Sequence, residues 1–210
     1  MISYFKNLRA ISYKLKASKL DAGMTYVELI VVLSIFSIMS GIVLFNYNKF
    51  QAKVDIKNLA NDIALKIVQA QKEALSGKLP AQTPIPNWKP SYGLYFDTST
   101  DISKKSFIYF TDLNNNALYE DFDCTGECLN KISITKGDFI SNLTVTTQGL
   151  GDCSSITALT VVFTRPDSGA KINTDKSSCT AVSSAFITIS SPQLSNAVIK
   201  VYVSGRVQIN

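Results

Sequence analysis

The most informative absence in this chain of 210 residues is histidine, which does not occur at all. Nucleophilic triads that use an imidazole base are therefore excluded, and zinc sites lose their usual nitrogen ligand. A phosphate-binding glycine loop with its lysine is also missing, which excludes an ATPase of the P-loop class. These absences argue against a membrane-anchored enzyme, and we interpret the chain as non-catalytic.

The run from Leu29 to Phe45 contains no charged residue, and each of its residues is either apolar or small and uncharged. As a helix, residues 24–45 would be about 33 Å long, close to the thickness of the hydrocarbon core of a bilayer. Glu28 is the only charged side chain in this stretch. Because a carboxylate in a membrane is costly unless a cation meets it, Glu28 is a candidate functional residue.

The positive charge of the chain is concentrated before this run. The formal net charge is +5, but five of the 21 basic residues and one of the 16 acidic residues lie in residues 1–23, which leaves 16 and 15 and a net charge of +1. Basic residues beside a membrane segment favour a cytoplasmic location for that flank. A nucleic-acid-binding surface loses its support once this leader is removed. The charged leader residues are Lys6, Arg9, Lys14, Lys16, Lys19 and Asp21.

The order of the leader and the apolar run distinguishes two kinds of targeting segment. In an ordinary secretory signal the apolar core precedes the cleavage site and is removed with it. Here the apolar core follows Gly23, so cleavage at that point would leave it in the product. An uncleaved membrane anchor is the simpler alternative.

The stretch GMTYVELIVVLSIFSIMSGIVLF, which begins at Gly23, resembles the N-terminal signature of type IV prepilins and the related pseudopilins. The resemblance implies that a prepilin peptidase cuts after Gly23 and that the new N-terminus, Met24, is methylated. It also implies that Glu28 pairs with the N-terminal amine of a neighbouring subunit during assembly. It covers Met24 to about Leu75, and the partners that it implies are other pilin or pseudopilin subunits, the peptidase and the cytoplasmic membrane.

Beyond the apolar run, the helical pattern continues with a polar face. Proline is absent between Met24 and Leu79, and the spacing predicts one helix from about Thr25 to Leu75, closed by Ser76 and Gly77. The predicted apolar face consists of Phe50, Val54, Leu59, Ile63, Ile67, Ala70 and Ala74. We therefore divide the chain into a leader (1–23), a transmembrane or filament-core half of the helix (24–45), an amphipathic half (46–77) and an exported β-rich domain (78–210).

After the proline-rich connection at residues 78–90, every signal indicates β-strands. The predicted strands are residues 92–96, 107–110, 131–135, 143–147, 159–164, 185–190, 197–203 and 206–209, with a hairpin between the first two and a tight turn at Ser204-Gly205. The class is α+β, one long helix packed on a mostly antiparallel sheet. The YGLYF strand and the closing VYVSGRVQI hairpin resemble the corresponding segments of minor pseudopilins of type II secretion.

An acidic and amide-rich loop is a candidate calcium site. Oxygen donors at alternating positions suit Ca²⁺, and the predicted ligands are Asp112, Asn114, Asn116, the Leu118 carbonyl, Glu120 and Asp123. The loop departs from an EF-type pattern because Ala117 stands where glycine makes the sharp turn and Asp123 replaces a longer glutamate. The alternative is a polar turn, since Asn and Asp are common turn residues.

Four cysteines, Cys124, Cys128, Cys153 and Cys179, all lie in the predicted exported domain. Oxidation is permitted there, and four cysteines allow three pairings. Polar turns favour Cys124–Cys128 together with Cys153–Cys179. Zinc is the alternative, but the Cys-x₃-Cys spacing is unsuited to a zinc knuckle and histidine is absent.

These observations predict a structural subunit of a type IV pilus or a type II secretion pseudopilus. It would cross the cytoplasmic membrane once, with its C-terminal domain exported, and then enter the filament through its helix. The alternative is a minor pilin that acts as a binding module at the filament tip, for DNA or a surface ligand. Lys200 and Arg206 are the only local candidates for phosphate contacts, so nucleic acid is a less favoured partner.

Overall fold

The computed structural model describes residues 23–81, 86–121, 124–149 and 151–210. The chain divides into two compact units, Met1–Leu44 and Phe45–Asn210. Of the predicted features, the leader before Gly23 and Asp123 of the predicted calcium ligands lie outside the described residues.

One long helix, α1 (Tyr26–Ser76), begins and ends within one residue of the predicted limits. At its start the Glu28 N–H donates to the Thr25 hydroxyl at 3.2 Å, the bond that an N-terminal cap makes. At its end Gly77 has a φ of 71°, and the Gly77 and Lys78 N–H groups donate to the carbonyls of Ala74 and Glu73. A glycine in this left-handed conformation ends helices without the penalty of a Cβ atom.

The buried face of α1 differs from the predicted face in its first part. Phe50 is 65% exposed, so this predicted contact is wrong. Val54 and Leu59 are half-buried, and Leu59 packs against the core. The residues that are buried recur every three or four positions and are Ala52, Ile56, Ala60, Ile63, Ile67, Ala70 and Ala74. Ala52, Ile56 and Ala60 are the fully or almost fully buried residues in this part of the face.

Two five-stranded antiparallel sheets follow the helix. Sheet one has the order β3-β2-β1-β6-β7, and sheet two has the order β10-β9-β8-β4-β5. The strands of sheet one are β1 (Ser91–Asp97), β2 (Ser106–Thr111), β3 (Cys128–Ser133), β6 (Ala158–Thr164) and β7 (Ala170–Thr174). Those of sheet two are β4 (Phe139–Thr147), β5 (Gly151–Ile156), β8 (Val182–Ser190), β9 (Asn196–Tyr202) and β10 (Val207–Ile209). A short 3-10 helix, Ser103–Lys105, lies between β1 and β2.

The α+β class is confirmed, and so are the hairpin of β1 and β2 and the turn at Ser204-Gly205. The Tyr202 N–H donates to the Arg206 carbonyl across that turn at 2.9 Å, and Gly205 has a φ of 84°. Two strands, β5 and β7, were not predicted. Both lie at sheet edges, where polar residues are favoured because only one side of the strand is paired.

One hydrophobic cluster joins the helix to both sheets within the unit Phe45–Asn210. It contains Ile63 and Ile67 from α1, Leu94 from sheet one, and Ile187 and Ile199 from sheet two. Polar contacts supplement this packing: the Tyr109 hydroxyl donates to Glu73 at 2.6 Å, as does the Lys78 ammonium at 2.8 Å. The second half of α1 is therefore held by the sheets along one face and at its C-terminal end.

Candidate functional site

The first candidate site is the segment that precedes α1. Gly23 and Met24 are exposed and lie before the first helical residue. A Cβ atom at Gly23 would meet no heavy atom within 4 Å. Nothing described in the chain therefore covers the Gly23–Met24 peptide bond, and an enzyme could approach it directly.

Glu28 lies in the first turn of α1 and is exposed. Its backbone N–H is capped by Thr25, whereas its carboxylate has no ion-pair partner within the described residues. The position gives Glu28 a modest local role, because an acidic side chain near a helix N-terminus interacts favourably with the helix dipole. Sequence reasoning identified the residue but missed this second role, which the Thr-x-x-Glu spacing indicates.

The first unit exposes an unbroken apolar surface. No residue in the most apolar window of 18 is buried, and α1 is long and apolar enough to cross a membrane. Phe36, Ile38, Met39 and Leu44 are each more than half exposed. Monomeric soluble proteins rarely expose a continuous apolar surface of this size, and such a surface is typical of a segment that contacts lipid or another protein.

The second candidate site is the loop between β2 and β3, which contains most of the predicted calcium ligands. Asp112 is fully buried, and its carboxylate accepts hydrogen bonds from the N–H groups of Asn116 and Ala117 at 3.1 and 2.9 Å. It also accepts one from the Ser91 hydroxyl at 3.3 Å. Burial raises the pKa of Asp112 above its usual value, although these donors oppose the shift.

The other predicted ligands take part in the same loop structure. The side-chain oxygen of Asn114 accepts from the Asn116 N–H, and that of Asn116 accepts from the Leu118 N–H. The Asn114 amide donates to Glu120 at 3.2 Å, and Ala117 adopts a φ of 63° at the position where glycine was expected. Within the described residues, no three His, Cys, Asp or Glu side chains are grouped to hold a metal.

Glu127 is the last residue of this loop, directly before β3, and it was not predicted as a site residue because it lies outside the alternating pattern of oxygen donors. It is 8% exposed. Its Oε1 accepts from the Leu113 N–H at 3.0 Å, and the backbone N–H of Glu120 also interacts with the carboxylate and favours its charged form. Burial, followed by the charges of Asp112 and Glu120, raises the pKa of Glu127.

Two disulfides lie in the second unit, and they join the pairs that the sequence favoured, Cys124–Cys128 and Cys153–Cys179. The described residues include all four cysteines and none is free. The longer bridge connects β5 to the segment before β8 across a sequence separation of 26. By the loop-closure argument it contributes about 3.5 kcal/mol to the free energy of unfolding.

The two basic residues singled out near the C-terminus come together on sheet two. The Lys200 ammonium lies 4.8 Å from the ring centroid of Phe186 and 4.5 Å from that of Tyr202. The Arg206 guanidinium lies 5.2 Å from the Tyr202 ring. No acidic residue occurs in β4, β8, β9 or β10. We call this group of Phe186, Lys200, Tyr202 and Arg206 the aromatic-basic patch.

Comparisons of the chain with protein-family models, with curated proteins and with solved structures find no match. The interpretation of function consequently depends on the residues and the geometry described above. Of these, the exposed apolar helix with its single carboxylate is the most distinctive.

Proposed function

We propose that this chain is a structural subunit of a filament of the type IV pilus class, which includes the pseudopilus of type II secretion. In this proposal the chain is cleaved after Gly23 and assembled through α1. The domain that contains both sheets is exported and faces away from the filament axis. The resemblance of residues 23–45 to prepilins supports the assignment of the class.

The observation that carries the proposal is the contrast between the two parts of α1. From Tyr26 to Leu44 the helix is apolar except for Glu28 and its side chains are almost all exposed, whereas from Ala52 to Ala74 one face is buried against the sheets. Exposing the apolar first part of α1 to water costs free energy. Such a segment is therefore not expected in a protein that is soluble as a monomer. A subunit that resides first in a membrane and then in a filament core covers it in both states.

Glu28 has a specific place in this proposal. Cleavage would create an amine at Met24, and a neighbouring subunit could present that amine to the Glu28 carboxylate. Leaving a carboxylate unpaired in an apolar environment is strongly unfavourable, and pairing it with a cation relieves the cost. The pair would therefore favour assembly and set the axial register between subunits.

The membrane orientation follows from the leader in the same proposal. Basic leader residues are retained on the cytoplasmic side, so the sheet domain is exported. Prepilin peptidase, other subunits and the cytoplasmic membrane are the partners. Both disulfides lie in the exported part, where oxidising conditions allow them.

Mass spectrometry of the processed protein tests the proposal. In a host with an active prepilin peptidase, we expect a mature N-terminus at Met24 that carries a methyl group. Gly23→Leu should block cleavage, because the peptidase must accommodate the residue before the cut. Gly41→Leu is the matched control: neither glycine has a heavy atom within 4 Å of an added Cβ, so packing is undisturbed at both. Wild-type protein that retains Met1 would contradict the proposal.

A second candidate function is that of a minor subunit that binds an anionic ligand such as DNA at the filament tip. The aromatic-basic patch favours it, because its half-buried rings lie beside two cations and proteins bind single-stranded nucleic acid by stacking bases on aromatic rings and neutralising phosphates with cations. Two cations remain few for phosphate binding, so this candidate ranks below the structural subunit.

The dependence of DNA binding on salt distinguishes the two candidates. If the aromatic-basic patch binds phosphate, the double variant Lys200→Gln/Arg206→Gln should reduce the slope of log Kd against log salt by about 2. Lys171→Gln, an exposed residue of β7 in the other sheet, is the control and should leave the slope unchanged. If the wild-type protein in detergent does not bind DNA, the DNA-binding candidate is rejected and the structural subunit is the remaining candidate.

A further inference from the structure

Three lysines, Lys49, Lys53 and Lys57, recur at every fourth position of α1 soon after the apolar run ends. Lys53 follows Leu44, the last residue of the first unit, by nine positions, which corresponds to about 14 Å of helix. The flank of a membrane segment that is exported usually contains few basic residues. A row of lysines on the flank that the proposed function exports therefore requires an explanation.

Two of these lysines have no counter-ion. Lys53 and Lys57 are exposed, and neither ammonium group has a carboxylate oxygen within 4 Å among the described residues. Asp55 lies between them in sequence but is already paired with Lys136 at 2.6 Å. Like charges four positions apart on a helix repel each other and destabilise it. An anion bound at the two lysines would remove this repulsion.

A cavity of about 320 Å³ lies where Lys53 and Lys57 face the end of sheet two. Its polar lining consists of these two lysines and Asn61 from α1, together with Asn196 of β9 and Asn210, which follows β10. Neither Asp nor Glu lines the cavity. Asparagine amides donate hydrogen bonds, so an anion here meets two cations and three further donors. We call this cavity the lysine groove.

The lysine groove also has an apolar lining, which consists of Ile56, Ala197 and Ile209. Ile56 and Ala197 are buried, whereas Ile209 is 36% exposed. A ligand that fills the groove is therefore expected to be amphipathic, with an anionic group at the lysines and a less polar part against Ile209. The headgroup region of an anionic phospholipid has this chemistry, whereas inorganic phosphate lacks the less polar part.

Exposed apolar and aromatic residues close to the lysine groove are typical of a surface that meets a bilayer. Tyr47 and Phe50 are 57% and 65% exposed and lie between the apolar run and Lys53, and aromatic residues are enriched at this level of membrane-spanning helices. Leu194 is 92% exposed in the turn before Asn196 of the groove. Its φ of 62° is rare for a bulky residue, and such strain is concentrated at functional sites.

We propose that the lysine groove binds the headgroup of an anionic phospholipid from the membrane that α1 spans, with Lys53 and Lys57 at the phosphate and Leu194 at the membrane surface. The short helical tether to the span keeps the groove near lipid, which raises the effective concentration of headgroups. Each lysine close to an anionic surface adds to the attraction. This inference rests on the membrane residence that the proposed function includes, but it requires neither cleavage nor assembly.

The melting temperature of the full-length protein in nanodiscs, followed by Trp88 fluorescence, tests the proposal. Nanodiscs of phosphatidylcholine alone are compared with nanodiscs that also contain phosphatidylglycerol. We expect phosphatidylglycerol to raise the wild-type melting temperature by about 3 °C, because a ligand that binds only the folded state stabilises it. Inorganic phosphate added to phosphatidylcholine nanodiscs should have no such effect. An equal effect of phosphate would make the groove a site for free anions and overturn the assignment to lipid.

The double variant Lys53→Gln/Lys57→Gln tests the groove through a reversal in sign. In phosphatidylcholine its melting temperature should equal or exceed that of the wild type, because the repulsion between the lysines is removed. With phosphatidylglycerol it should melt below the wild type, because the shift is lost. Lys72→Gln/Lys171→Gln is the matched control, since it removes the same charge from two exposed lysines. Lys72 lies about 28 Å beyond Lys53 along α1, further than the Debye length, so this control should retain the shift.

Leu194→Asp should also reduce the shift, because it places a carboxylate at the anionic surface, whereas Leu65→Asp at another exposed leucine should not. A lipid-dependent shift that persists in Lys53→Gln/Lys57→Gln would reject the groove. If that variant keeps the shift but enters filaments poorly, the groove instead contacts an acidic surface of a neighbouring subunit. A chain that does not enter nanodiscs contradicts the proposed function and this inference together, whereas one that enters them without a shift overturns this inference alone.

Discussion

Glu28→Gln is expected to reduce incorporation of the subunit into filaments at least about tenfold, because a hydrogen bond to a charged group contributes about 1.5–3 kcal/mol. Gln has nearly the same shape, and the helix cap uses the Glu28 backbone N–H with the Thr25 hydroxyl, so the helix start is preserved. Membrane insertion, leader cleavage and the folding of the sheet domain should not change. Quantitative immunoblotting of sheared filaments against total cell protein measures the effect.

Two further variants separate pairing from helix stabilisation by Glu28. Glu28→Asp keeps the charge on a shorter side chain and should recover part of the incorporation. Ser34→Ala is the control within the same apolar stretch, since the Ser34 hydroxyl only donates to the Val31 carbonyl of its own helix. If Glu28→Gln enters filaments as well as wild type does, Glu28 contributes only to the helix terminus and the proposed pairing is wrong.

Ile63→Ala is expected to lower the free energy of unfolding of the domain by about 3–4 kcal/mol. Ile63 is fully buried where α1 meets the sheets, and truncation of such a side chain loses its transfer free energy and leaves a cavity. Leu65→Ala, two residues further along the same helix, should cost less than about 0.5 kcal/mol because Leu65 is 66% exposed. Denaturant titration of the full-length protein in detergent, followed by Trp88 fluorescence, compares the two variants.

The comparison of these two positions tests the packing of α1 on the sheets directly. Both changes remove comparable aliphatic side chains from the middle of one helix, so the effect on helix propensity is similar. The difference in stability therefore reports burial alone. If the two variants unfold at the same denaturant concentration, α1 does not pack on the sheets through the face described here.

Helix α1 shows which properties of a helix a periodic sequence pattern predicts and which it does not. Its limits followed from the lack of proline and from Gly77, which are local properties of the backbone. Its buried face did not follow in full, because Phe50 was included for its hydrophobicity and is 65% exposed. The fold buries Ala52, Ile56 and Ala60 most deeply in this part of the helix, and which side of a helix meets the sheets is decided by the tertiary packing.

The sheets likewise contain strands that the sequence predicts and strands that only the tertiary structure identifies. Central strands such as β1 and β6 are aromatic or β-branched, so their sequences identify them. The edge strands β5 and β7 are rich in polar residues, and their conformation comes from pairing with β4 and β6. That pairing joins residues through the tertiary fold and leaves little trace in local composition.

The candidate sites also include features that the sequence predicts and features that only the folded structure shows. The sequence by itself determined the apolar run, the isolated Glu28, the resemblance of the residues around Gly23 to a prepilin signature and the lack of histidine, because each is a property of the residues in their order along the chain. Only the tertiary structure brought the Glu127 carboxylate, at the end of the loop between β2 and β3, to the Leu113 N–H at the start of that loop, and placed Phe186 of β8 beside Lys200 of β9. Residues far apart in sequence meet only when strands pair and loops close, and the energies that bring them together are spread over the whole core. The burial of the Glu127 carboxylate is consequently visible only after the chain has folded.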